Sequence, residues 1–270
     1  MSFGISFPKK TRAALPASTA TYLAVFGLLL CALLLRLVGL DRYVTPDEPV
    51  WVHRAIQFRD ALIARNWAKV PVTGHPGVTT MWLGAAGISA RQLLTPAESA
   101  QHLDWIRPMT WLAPGNGAAY RHLWYFLPSG RIAVALVTTA GLGLSYLMAG
   151  RLLGSRLAIL ALGLLAFDPF LAGHSGLLHT DGLLATFSML ALLAAACALR
   201  ARAPLGWWAV AGLFAGLTVL TKSPGILVAL AVLAGAGLGS LVFALPPRQA
   251  DLAAGVQGTR LTLGERLARS

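Results

Sequence analysis

The sequence predicts an all-α, polytopic membrane helix bundle with interfacial helices in a long first outer loop. Three observations predict it. Of the 270 residues, 56% are hydrophobic and 12% charged, with a mean hydropathy of +0.67. A soluble domain is ~25% charged and ~45–50% apolar. The apolar residues gather in six runs, each near the ~20 residues that cross a bilayer. The chain also holds 28 Gly, and small residues let spanning helices approach closely. This composition excludes a disordered chain, a disulfide scaffold and an ordinary soluble enzyme. It also excludes a nucleic acid as partner. The net charge of +12 is spread between apolar runs rather than gathered into a stripe or tail. Cys31 and Cys197 both lie inside apolar runs and read as buried and inert.

The runs place spans over Thr19–Leu40, Ser129–Gly150, Ser155–Ala172, Gly182–Leu199, Leu205–Leu220 and Gly225–Leu245. Residues 1–18 precede them and 246–270 follow. The first run exceeds the ~7–15 apolar residues of a signal peptide and lacks a small-residue cleavage site. Span five is the weakest, because Gly206, Gly212 and Gly216 lower helix propensity. Orientation follows from basic residues near the span ends. Lys9, Lys10 and Arg12, then Arg151 and Arg156, then Arg200 and Arg202, then Arg248, Arg260, Arg266 and Arg269 fall on one side. The positive-inside rule makes that side cytoplasmic. Residues 41–128 then form a long outer segment. Trp51, Ile56, Phe58, Leu62, Ile63 and Trp67 recur at helical spacing, and Val78–Leu94 repeats the pattern. Trp-rich amphipathic helices suit a membrane interface; a small packed ectodomain is the alternative. Pro108, Pro114, Gly115 and Gly117 mark a more irregular stretch.

Only ten acidic residues exist, so each can be weighed. Asp47-Glu48 stands between Pro46 and Pro49, just outside span one. Adjacent like charges cost energy unless a cation or a proton uses them. Metal binding and general-base work are the functional readings; a solvated acidic turn is the bland one. Asp181 follows His174 and His179 and opens span four. It either caps the helix or acts as an ionisable group at membrane depth. The histidines lack the spacing of a motif such as HExxH. Asp168 falls near the outer end of span three. His75-Pro76-Gly77 begins the second outer helix, with Pro76 at its first turn. The amides there can hold an anion, with Thr79 and Thr80 adding hydroxyls. Lys222, Arg131, Arg54 and Arg59 are cations on the outer side. They either snorkel or offset a lipid-linked phosphate.

In this order the elements resemble the N-terminal half of a GT-C glycosyltransferase of the protein O-mannosyltransferase and aminoarabinose-transferase type. The likeness rests on one span, then Asp47-Glu48, then His75-Pro76 in the outer loop, then Leu178-His179-Thr180-Asp181, then Thr221-Lys222. His75-Pro76 is followed by Gly77 where mannosyltransferases commonly carry a second Pro. The resemblance implies an inverting transfer of a sugar from a polyprenyl-phosphate carrier to an acceptor hydroxyl on the outer face of a membrane, here a bacterial inner or plasma membrane. It makes Asp47 the general base, Glu48 its helper and Asp181 a third catalytic group. It gives Lys222, Arg131, Arg54 and His75 to the donor phosphate. Asp47, Glu48, Asp181 and His179 would suit a hard divalent cation, Mg²⁺ or Mn²⁺. The partners it implies are membrane lipid, the polyprenyl-phosphate sugar, an acceptor protein or glycolipid, and a missing C-terminal half. Two other readings compete: a lipid-handling or transport subunit, and a truncated, non-catalytic half. Transporters place polar groups and broken helices at the midplane. Here the acidic residues lie at the outer ends, which favours the enzyme.

Overall fold

The computed structural model describes residues 19–42, 45–74, 76–111, 116, 118–201 and 205–244. Among them every regular element is helical, as the composition predicts. The chain forms α1 (Thr19–Leu37), α2 (Glu48–Ile63), α3 (Val78–Leu94), α4 (Pro96–Ile106) and α5 (Ala119–Leu153). There follow α6 (Ser155–Phe167), α7 (Pro169–Ser175), α8 (Thr180–Ala201), α9 (Leu205–Thr221) and α10 (Gly225–Ala244).

By length and apolarity, α1, α5 and α8 can each cross a membrane, and the α6–α7 pair makes a fourth if the two count as one span. The chain is an integral membrane protein on this evidence. The pair differs from the single straight span expected over Ser155–Ala172: it bends by 64°. The cause is local. Asp168 is extended and its carboxylate accepts a hydrogen bond from the Leu171 amide at 2.6 Å. Pro169 then opens α7, a position where a missing N–H costs nothing. The apolar stretches Leu205–Thr221 of α9 and Gly225–Gly239 of α10 are shorter than a full span. The break between them is tight. A side chain at Gly225 would meet the Thr218 carbonyl at 2.3 Å.

The helix α5 organises the rest. Its 35 residues extend about 50 Å at 1.5 Å per residue, well beyond a hydrocarbon core of ~30 Å. Pro128 lies inside it, where one backbone hydrogen bond is forfeited. The helices α2, α3 and α4 pack against α5. Trp51, Ile56, Phe58, Met81, Ile88, Leu103, Ile106, Leu123 and Phe126 form one core with Leu178 and Leu183. The segment between α1 and α5 is thus a packed layer, continuous with the bundle core. Its Trp67, Trp82, Leu93 and Leu94 stay exposed, an apolar surface suited to an interface. Small residues set the spacing. A side chain at Gly87 of α3 would fall 2.4 Å from the Ser129 carbonyl oxygen of α5. Cys197 is buried, but Cys31 is exposed on α1, against the expectation for it. The helix α1 packs on α5, α6 and α7 and leaves an apolar face with Leu23 and Phe26 exposed, a surface suited to lipid.

Around α4, His102 stacks on Tyr125 at 4.1 Å, and His122 stacks on Trp105 at 4.3 Å. The two Nδ1 atoms lie 3.0 Å apart. Burial holds the His102 ring below its ordinary pKa, helped by His122, Arg121 and Arg91 and opposed by Glu98.

Two outcomes follow. Gly87→Ala overpacks a backbone contact and should lower stability by about 1–3 kcal/mol; an unchanged thermal melt in detergent would contradict the close approach of α3 and α5. A histidine with a depressed folded-state pKa stabilises the fold above its unfolded value of ~6.5, and that contribution is lost as pH falls through the folded value. The melting temperature should therefore drop on acidification from pH ~7.5 to ~5. His102→Gln should flatten that drop, and an identical pH profile in the variant would refute the assignment.

Candidate functional site

The two adjacent carboxylates of Asp47-Glu48 point to opposite environments. Glu48 is the first residue of α2 and is fully buried. Its Oε1 accepts from Arg131 Nε at 2.7 Å and from the Leu178 amide at 3.0 Å. Its Oε2 accepts from Arg131 Nη2 at 2.6 Å and from the amide and hydroxyl of Thr45. Arg131, on α5, also donates from Nη1 to the Leu40 carbonyl at 2.7 Å. This is a fork-on-carboxylate pair, the strong, geometrically specific form of an ion pair. A buried ion pair holds only when the remaining lone pairs and protons are also satisfied. Here backbone and hydroxyl groups from three further segments do so. Glu48 and Arg131 therefore bind one another.

Asp47 occupies the N-cap position of α2, but its carboxylate makes no capping bond. Its side chain is 68% exposed, and Oδ2 lies 3.2 Å from His179 Nε2. The same imidazole reaches Asp181. Its Nδ1 is 3.3 Å from Asp181 Oδ2 and 3.4 Å from the Asp181 amide. A neutral ring with its proton on Nε2 can donate to Asp47 and accept from that amide. Asp181 in turn pairs with Lys222, Oδ1 to Nζ at 2.5 Å. One continuous line thus runs Asp47, His179, Asp181, Lys222.

Helix geometry explains the placement of this line. Asp181 lies in the first turn of α8, where the helix dipole favours an anion. It does not cap the helix; the helix begins one residue earlier, at Thr180. Lys222 immediately follows α9, where the dipole favours a cation. Gly182 lets α8 approach α7, since a side chain there would meet the His174 carbonyl at 2.7 Å. The start of α3 closes over the end of α9. The Gly77 amide donates to the Leu220 carbonyl at 3.1 Å, and Thr79 Oγ1 lies 2.8 Å from Thr221 Oγ1. Gly77 has φ +151°, and a side chain there would strike the Trp51 ring. The helix α3 begins at Val78, two residues after Pro76. Thr80 Oγ1 is buried without a partner among the described residues.

Of the other sequence candidates, Arg54 lies over the Trp51 ring at 5.0 Å. Arg59 bonds to Ser89 and Gln92 and pairs with Asp60. His75 lies outside the described residues. Among the described residues no three His, Cys, Asp or Glu side chains gather as a metal-holding group. Both Glu48 oxygens are engaged, and Lys222 occupies one Asp181 oxygen. The arrangement of Asp47, Glu48, Asp181 and His179 therefore does not fit a shared cation. Two features escaped the sequence. Glu48 and Arg131 are 83 residues apart, and no local pattern links them. The sequence offered His179 as a candidate metal ligand and motif residue beside Asp181, not as the bridge between two acids.

The architecture defines the class: a helical, multi-span integral membrane protein with the Asp47, His179, Asp181 and Lys222 line at one end of the bundle and Arg151, Arg156 and Arg200 at the other. Residues 127–245 match the family model of dolichyl-phosphate-mannose-protein mannosyltransferase. That match supports the resemblance to the GT-C glycosyltransferases and with it a membrane glycosyltransferase activity of that kind. The matched stretch holds Arg131, His179, Asp181 and Lys222; Asp47 and Glu48 precede it. No curated protein and no solved structure matches the chain.

The Glu48–Arg131 pair generates a stability prediction. Glu48→Gln leaves a buried guanidinium without its counter-charge and should cost about 3–5 kcal/mol. A loss of under ~1 kcal/mol, typical of an exposed pair, in detergent-solubilised protein would show that the pair is not structural.

Proposed function

We propose that the protein transfers a sugar from a polyprenyl-phosphate carrier to an acceptor hydroxyl at the outer face of the membrane, with inversion. The single observation that carries this reading is the line from exposed Asp47 through His179 to Asp181 and Lys222. It joins a carboxylate open to an acceptor with a cation suited to a donor phosphate.

Asp47 is the base. Its carboxylate takes the proton from the acceptor hydroxyl as that oxygen attacks the anomeric carbon. The bond from that carbon to the phosphate oxygen breaks on the opposite face, which inverts the centre. A base must lie within hydrogen-bond reach of the proton it removes, and the exposure of Asp47 leaves it that access. His179 orients Asp47 by its Nε2 contact. Asp181 holds Lys222 through one N–H. An ammonium carries three such donors, so two remain for the departing phosphate. Fixed cations aimed at developing charge are the largest single source of stabilisation in such transfers. Glu48 touches neither substrate. It positions Asp47 by anchoring the next residue. The acceptor is a protein or glycolipid hydroxyl, and the carrier's tail lies in the bilayer beside the helices.

The positive-inside rule supports the outer face. Arg151, Arg156 and Arg200 lie at the helix ends opposite the Asp47 line.

Asp47→Asn should lower glycosyl transfer from a polyprenyl-phosphate sugar by about 10²–10⁴-fold while leaving the melting temperature unchanged. Activity close to the unsubstituted protein in Asp47→Asn would overturn the assignment of the base.

A further inference from the structure

Arg36 sits one residue before the end of α1 and is 2% exposed. It turns inward rather than snorkelling to water, the usual course for an arginine at a span end. Its Nη1 donates to the Ala32 carbonyl at 2.8 Å. Its Nε and Nη2 are buried and have no partner among the described residues. Arginine cannot shed its proton to escape this position. A buried charge without a partner is strongly unfavourable, so the site calls for an anion.

Nε and Nη2 form the guanidinium edge that grips two oxygens at once. Arg131 demonstrates the point, since its own Nε and Nη2 take the two oxygens of Glu48. Arg36 lines a cavity of about 200 Å³. A water needs only ~10–15 Å³, so the space exceeds a bridging water many times over. Arg131 also lines it, but its charge is matched by Glu48. One positive charge is left to be balanced. Exposed Leu35 and Val38 rim the cavity, and Ala172, Gly173 and Gly176 give it a wall of small residues.

We infer that this cavity binds the phosphodiester of a membrane lipid, with Arg36 as its bidentate anchor. A phosphodiester carries one negative charge and presents two oxygens to the fork. The exposed apolar rim suits the acyl chains attached to it. The site lies on the α1 and α7 side of the Glu48–Arg131 pair and does not depend on the glycosyl-transfer reading.

The test uses the full chain purified in a neutral detergent. It is titrated by calorimetry with dihexanoylphosphatidylglycerol and, separately, with inorganic phosphate. Saturable binding of the lipid is expected, at least tenfold tighter than that of inorganic phosphate. Arg36→Gln should weaken lipid binding at least tenfold, and Arg36→Lys should restore part of it. Gly173→Leu serves as a second variant. A Cβ at Gly173 meets nothing within 4 Å, so the added side chain should occupy the cavity and weaken lipid binding with the fold intact. If Arg36→Gln does not fold, Gly173→Leu decides. Equal affinity for inorganic phosphate and the lipid would overturn the lipid as source. Undiminished lipid binding in Gly173→Leu and in folded Arg36→Gln would overturn the site.

Discussion

The buried pair of Glu48 with Arg131 is the constraint on which the rest depends. Taking two ions out of water costs several kcal/mol for each. That cost is offset because the carboxylate collects groups from three parts of the chain and its partner guanidinium reaches a fourth. Arg131 comes from α5, the Leu178 amide from the approach to α8, and Thr45 from the turn before α2. The Leu40 carbonyl, just past α1, ties in through Arg131. No apolar contact could impose this arrangement, because apolar contacts have no preferred direction. The pair therefore sets how the segment between α1 and α5 docks on the bundle, and so where Asp47 lies.

Two neighbouring acids thereby come to do different work. Glu48 is dry and bonded on both oxygens; Asp47 is wet and bonded on one. The chain does not separate them by distance but by the start of a helix. Position one of α2 faces the core, while the preceding residue faces outward. The same economy recurs in the line beyond Asp47. His179 and Asp181 flank the start of α8, and Lys222 follows α9, so helix dipoles favour both members of the Asp181–Lys222 pair.

Much of the fold was legible. The helices α2 and α3 appear where the spacing of Trp51, Ile56 and Phe58 and of Met81 and Ile88 predicts them. Periodicity reports which face of a helix is apolar, and that is a local property. It did not report the bend at Asp168-Pro169, although the Pro itself was a signal for it. Nor did it settle Cys31, because in a bilayer an apolar residue can face lipid as readily as the core. Arg36 carried a legible signal too. A charge near the end of a 19-residue apolar helix is costly and asks for a partner.

The sequence by itself determined that this is a helical membrane protein and that its rare charges matter. It also determined the likeness to the GT-C glycosyltransferases, through motifs spread in order along the chain. Only the tertiary structure decided which charge meets which. Glu48 and Arg131, or Asp47 and His179, lie far apart in the chain. Their pairing needs the helices to close, and small residues such as Gly87 and Gly182 let the backbones approach closely enough for it. Hydrophobic periodicity specifies faces; partners are chosen by packing.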